Sequence, residues 1–79
     1  MSINPYQMSS FIDWAQRMVP VLYQYGVIPN PPLEIGWKNW ASDVISLDEI
    51  AKRGAPSPIG FGDWKDWAAQ FVGVINDGF

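Results

Sequence analysis

The sequence predicts an all-α protein in which three or four short amphipathic helices are joined by extended, proline-rich segments and need not form a compact body. Apolar residues recur at steps of three and four in three stretches, which is the pattern of a 3.6-residue helical period. Most of the prolines, which disfavour helix interiors, cluster between those stretches. No stretch shows a convincing strand alternation.

The first helix is predicted over residues 9–19. Ser9 or Ser10 can cap its first turn by accepting a backbone N–H. Pro20 is predicted to kink or end it, because proline lacks the N–H that the helical ladder needs. Residues 21–25 could either prolong this helix or form a short extended piece.

Two further helices are predicted over residues 36–45 and 46–53. Ser46 and Glu49 have the spacing of a capping box, which places the start of the second of these helices at Ser46. Gly54 follows Lys-Arg and is expected to close it.

The last helix, over residues 62–76, has the strongest pattern. Asp63 is expected to cap its first turn, and Gly78 to close it. Its apolar face contains Trp64, Trp67, Ala68, Phe71, Val72 and Ile75.

Three stretches repeat one pattern, which is aromatic-x-x-Trp-Ala-x-x-apolar-apolar. The tryptophans of the Trp-Ala pairs, Trp14, Trp40 and Trp67, are separated by 26 and 27 residues. Self-similarity at a nearly fixed period is typical of repeat proteins. We therefore interpret residues 1–79 as one small chain of three tandem units. The units are about 8–26, 35–54 and 60–78, with proline-rich spacers at 28–33 and 55–60.

The composition argues against most enzymatic and metal-binding chemistry. The chain has no cysteine and no histidine, which removes the commonest nucleophilic, metal-ligating and general-base side chains. Its net charge of −3 opposes binding to nucleic-acid phosphates. No apolar run approaches the roughly 20 residues that span a bilayer. We expect no enzymatic activity, metal, cofactor or small-molecule substrate, and no nucleic-acid or membrane partner.

The aromatic residues allow two interpretations. They could form the core of a miniature three-helix domain, or they could anchor the chain in grooves of a partner protein. We favour anchoring, because short helices are unstable without packing and five tryptophans exceed what three such helices need. The candidate partner-binding residues are Phe11, Trp14, Trp37, Trp40, Trp64, Trp67 and Phe71.

Two other motifs have weaker functional readings. Residues 46–54 resemble the first helix of a bacterial helix-turn-helix, but a recognition helix would then have to contain Pro56, Pro58 and Gly60. Residues 29–32 could serve as a polyproline ligand for an aromatic-lined groove. We favour a stiff spacer at that position.

Residues 61–75, with the pattern aromatic-x-x-Trp-x-x-Trp-Ala-x-x-apolar after a proline-rich stretch, resemble a pattern of small virion proteins of tailed bacteriophages. The resemblance covers about one helix per unit. It implies a structural or adaptor protein of a phage particle, attached to larger, oligomeric tail, connector or capsid proteins. Its location would be the virion, and the host cytoplasm during assembly. The alternative is a small regulatory binder that inhibits a host enzyme.

Overall fold

The computed structural model describes residues 4–76 and confirms the all-α prediction, with four α-helices and no strand in that range. Short 3-10 turns take up part of the proline-rich and connecting segments. The α-helices are α1 (Phe11–Leu22), α2 (Trp37–Ile45), α3 (Asp48–Lys52) and α4 (Trp64–Asn76). The 3-10 turns are Pro5–Gln7, Tyr23–Tyr25, Glu34–Gly36 and Pro58–Gly60.

The predicted caps at the starts of α1 and α4 are confirmed. The Asp13 N–H donates to Ser10 Oγ at 3.3 Å, and Ser9 Oγ donates to the Asp13 carboxylate at 2.8 Å. At α4, the Lys65 N–H donates to Asp63 Oδ1 at 3.1 Å. Each cap satisfies a backbone donor that has no partner within its own helix. Gly78, which was expected to close α4, lies outside the described residues.

Of the two effects predicted for Pro20, it does not end the first helix at residue 19, because α1 continues through Pro20 to Leu22. Residues 21–25 prolong the helix, as one of the two alternatives for them predicted, with a 3-10 turn at Tyr23–Tyr25. Proline leaves the carbonyl four residues earlier without its helical donor. That residue is Gln16, and both it and Pro20 are exposed, so the interruption lies on the water-facing side of the helix. A hydrogen bond from the Tyr23 N–H to the Val19 carbonyl then completes the last turn.

The capping box predicted at residues 46–49 does not form. Ser46 has helical backbone angles and terminates α2, and its hydroxyl donates to the Asp43 carbonyl at 2.6 Å. Leu47 occupies the N-cap position of α3 and provides no side-chain hydrogen bond. Gly54 does close α3 as predicted, since its N–H donates to the Ala51 carbonyl at 3.0 Å and its φ is +80°.

One hydrophobic cluster joins all four helices. The described part of the chain has a radius of gyration of 11.1 Å, close to the roughly 11.6 Å expected of a folded chain of this length. The helices are therefore packed together, in contrast to the non-compact arrangement that the sequence allowed. None of them is long and apolar enough to cross a membrane.

The early and late segments of the chain meet on one face of this body. The 3-10 turn Pro5–Gln7 packs against α4, and the turn Pro58–Gly60 packs against α2. The Tyr6 hydroxyl donates to Asp66 Oδ1 at 2.8 Å, which links residues 60 positions apart. The turn Pro5–Gln7, which precedes the first unit, thus packs on α4, the helix of the third unit.

Candidate partner-binding site

All seven aromatic residues proposed as partner anchors lie in the core. The most exposed of them is Trp37, at 8%. They contact one another across helices, mostly edge to face: the ring centroids of Phe11 and Trp40 are 5.5 Å apart, and those of Trp14 and Trp67 are 6.0 Å apart. Within α4, the rings of Trp67 and Phe71 stack at 4.8 Å. Such geometries suit the aromatic quadrupole and stabilise the core beyond area burial alone.

The anchoring interpretation requires these aromatic side chains to be exposed, and in the folded chain they are buried. In the folded chain, the side chains of these seven residues pack against each other, and no groove of a partner could receive them without unfolding the domain. Truncation of a buried tryptophan to alanine typically costs about 3–5 kcal/mol of folding free energy. Lost binding in a Trp40→Ala or Trp67→Ala variant would therefore report unfolding. The aromatic residues form the core of a small domain, as in the other interpretation, but that core joins four helices, not three.

The three Trp-Ala steps have the same environment around this shared core. Trp14, Trp40 and Trp67 are 0%, 2% and 0% exposed. The alanine after each tryptophan is fully buried, and the apolar residue four positions after each tryptophan is at most 3% exposed. These flanking residues are Ala15, Ala41 and Ala68, and Met18, Val44 and Phe71.

A hydrogen bond that the sequence interpretation missed ties two of the proline segments to their tryptophans. The Trp40 indole N–H donates to the Pro29 carbonyl at 2.9 Å, and the Trp67 indole N–H donates to the Pro56 carbonyl at 2.8 Å. Both bonds span 11 residues. The sequence feature that could have revealed these bonds is the spacing of 11 residues, which separates Pro29 from Trp40 and Pro56 from Trp67. Trp14 Nε1 has no hydrogen-bond partner in the structure as described.

The clearest apolar surface is instead the segment 27–35, which connects the first unit to α2. Its residues Val27, Leu33 and Ile35 are 85%, 73% and 96% exposed, although all three are large aliphatic side chains. Ile28 of the same segment is buried in the core and anchors it. The segment therefore presents aliphatic side chains to solvent from a fixed backbone.

A groove lies between this segment and α2, with a volume of about 220 Å³. Its walls combine apolar surfaces with amide groups and one carboxylate. The lining residues are Pro29, Asn30, Pro32, Gly36, Asn39, Trp40 and Asp43.

The charged groups of the described residues are placed at the surface. Lys38 lies over the Trp37 ring at 5.7 Å, and Lys65 lies over the Trp64 ring at 5.9 Å, so two units share the same cation–π contact. The hydrogen bond to Asp66 raises the pKa of the Tyr6 phenol above its ordinary value. Within residues 4–76, no group of three or more acidic, histidine or cysteine side chains is arranged to hold a metal ion.

Comparisons with protein-family models, curated proteins and solved structures gave no match for this chain.

Proposed function

We propose that the chain is a non-enzymatic adaptor that binds a larger, oligomeric protein through the segment 27–35, and that it is a structural component of a bacteriophage virion. The observation that carries the binding role is the exposure of Val27, Leu33 and Ile35 within one short segment. Contiguous exposed apolar patches are typical of interaction surfaces, and three highly exposed aliphatic side chains close together in sequence are candidates for such a patch. The virion assignment is supported by the resemblance of residues 61–75 to small phage virion proteins.

The rigidity of the segment supports the same role. Ile28 is buried, the Pro29 carbonyl accepts the Trp40 indole N–H, and Pro31 and Pro32 limit the backbone angles that follow. A surface held in one conformation loses less entropy on binding than a flexible loop does. The segment is therefore preorganised for binding, because its backbone is already held in one conformation.

The test combines the location of the protein with the effect of surface substitutions. Purified phage particles from the producing host should contain the chain at fixed stoichiometry by mass spectrometry. Leu33→Ser and Ile35→Ser should each reduce its incorporation severalfold, because they remove apolar contact area without disturbing the core. Ile59→Ser is the matched control, since Ile59 is 80% exposed but lies outside the segment, and it should incorporate normally.

A small regulatory binder that inhibits a host enzyme is the second candidate. The compact fold favours it, because a folded body with one apolar segment suits the surface of a soluble enzyme, whereas an open chain would suit draping over a capsid. Absence from particles, together with copurification of one host enzyme that Leu33→Ser abolishes, would establish this role and refute the virion assignment.

A further inference from the structure

The groove beside segment 27–35 has an apolar lining that consists mainly of proline rings. Pro29 is exposed and Pro32 is half-buried, whereas Trp40 contributes only its 2% exposed edge. Pro32 approaches the backbone of Gly36 so closely that a Cβ at that position would lie 3.2 Å from the Pro32 ring atoms. The glycine therefore sets the position of the Pro32 wall, which any side chain at residue 36 would push aside.

The one charged side chain in the lining of the groove is the carboxylate of Asp43, which only accepts hydrogen bonds when it is ionised. Asn30 and Asn39 each add an amide group, whose oxygen can also accept. Of the described residues that line the groove, none is a lysine or an arginine. The whole chain also carries a net charge of −3, so its field favours a positively charged ligand.

A guanidinium group matches this combination better than other side chains do. It is planar and weakly hydrated, so it can stack against the apolar walls while its N–H groups donate to a carboxylate and to amide oxygens. A lysine ammonium is more strongly hydrated and cannot stack in this way. An anionic side chain would meet the Asp43 carboxylate, and a purely aliphatic one would leave the amide groups unpaired.

We propose that this groove binds an arginine side chain of the partner protein, and that aliphatic residues beside that arginine pack on Leu33 and Ile35. This inference rests on the proposed adaptor function and adds the chemistry that the partner must present. Asp43 would carry the ionic contact and Asn39 a neutral hydrogen bond, while the rings of Pro29 and Pro32 would contact the guanidinium plane.

The test is a titration of the full ¹⁵N-labelled chain with N-acetyl-arginine N-methylamide, followed by ¹H–¹⁵N correlation spectra. We expect saturable shifts confined to the side-chain amides of Asn30 and Asn39, the Gly36 backbone amide and the Trp40 indole N–H. The capped lysine should bind more weakly. The capped citrulline, which is isosteric with arginine but neutral, should cause no saturable shift.

Asp43→Asn should weaken capped-arginine binding about threefold to tenfold, because it removes an exposed charge-assisted contact. Asp43 is exposed, so this variant should keep the wild-type spectrum elsewhere. Asp48→Asn, which removes an exposed carboxylate outside the groove, is the matched control and should bind normally. Equal binding of arginine and citrulline, or an Asp43→Asn variant as strong as wild type, would overturn the inference.

The proposed arginine site and the proposed adaptor surface can be refuted independently of each other. If Leu33→Ser abolishes partner capture but capped arginine does not bind the wild-type chain, the adaptor function stands and the arginine site is refuted. If capped arginine binds through Asp43 but neither Leu33→Ser nor Ile35→Ser affects capture, the groove stands and segment 27–35 is not the adaptor surface.

Discussion

The Trp40 indole N–H donates a 2.9 Å hydrogen bond to the carbonyl of Pro29, 11 residues earlier in the chain. Trp67 repeats this bond to Pro56 at 2.8 Å with the same separation. A buried indole N–H is stabilised by an acceptor, and an extended proline-rich segment offers carbonyls that no helix or sheet has already engaged. The proline segments before α2 and α4 are therefore parts of the folded body that provide acceptors for Trp40 and Trp67.

The first prediction compares Trp67→Phe with Trp14→Phe. Both variants shrink a fully buried ring, but only Trp67→Phe also leaves the Pro56 carbonyl without its donor. An unsatisfied partly buried carbonyl costs about 1–3 kcal/mol, so Trp67→Phe should be the more destabilised variant by roughly 1 kcal/mol or more. Urea unfolding followed by circular dichroism measures both. A Trp14→Phe variant at least as unstable as Trp67→Phe would refute the role of the Pro56 bond.

The second prediction concerns two glycines whose alanine variants should change stability in opposite directions. Gly54 has a φ of +80° that alanine adopts poorly, so Gly54→Ala should destabilise the fold by about 1–2 kcal/mol. Gly73 lies within α4, and an added Cβ there meets no atom within 4 Å. Gly73→Ala should stabilise by about 0.5–1 kcal/mol, because alanine loses less backbone entropy in a helix. Melting temperatures that move in the same direction would contradict this argument.

Much of the fold could be predicted from the sequence where local chemistry decides the structure. The Ser10 and Asp63 caps and the Gly54 closure form as expected, because each depends on residues a few positions apart. Ser46 shows the limit of such reasoning. The same residue could begin α3 or end α2, and the sequence contains no feature that decides between two adjacent helices.

The role of the aromatic residues could not be decided from periodicity. An apolar stripe at helical spacing indicates which face is buried, but not whether the neighbour is the same chain or another. The 5.5 Å contact between Phe11 and Trp40 joins residues that are distant in sequence and depends on how α1 crosses α2. Residues 28–33, which form most of the exposed segment 27–35, were interpreted as a spacer because prolines dominate their pattern. The exposure of Leu33 and Ile35 depends on the tertiary packing, which periodicity does not give.

The third prediction concerns the pH dependence of the Tyr6–Asp66 contact. The hydrogen bond to Asp66, followed by desolvation and the charges of Asp66 and Asp63, raises the pKa of Tyr6 above 10.0 in the folded chain. Folding therefore favours the protonated phenol. The contribution of this contact is complete below the unfolded pKa and is lost as pH rises through the folded one.

Ultraviolet titration of tyrosinate, taken as the difference between wild type and Tyr6→Phe, measures this pKa. Asp66→Asn should lower it toward 10.0, because the substitution replaces the charged acceptor of the leading hydrogen bond with a weaker neutral one and removes the charge of Asp66. Asp63→Asn should lower it less, since the charge of Asp63 is the smallest of the contributions that raise the pKa of Tyr6. An unchanged Tyr6 titration in Asp66→Asn would show that the phenol does not bind that carboxylate in solution.

The last prediction concerns the alanine that follows each tryptophan. Ala68 is fully buried, as are its counterparts Ala15 and Ala41, and a small side chain at this place lets neighbouring segments approach the helix. Ala68→Leu should overpack the core and destabilise the fold by about 1–3 kcal/mol. Ala69→Leu makes the same chemical change at the next, only half-buried position of α4 and should cost distinctly less. Chemical denaturation measures the free energy of unfolding of both variants. If both lose the same amount, the destabilisation comes from introducing leucine into α4 and not from close packing at the Trp-Ala step.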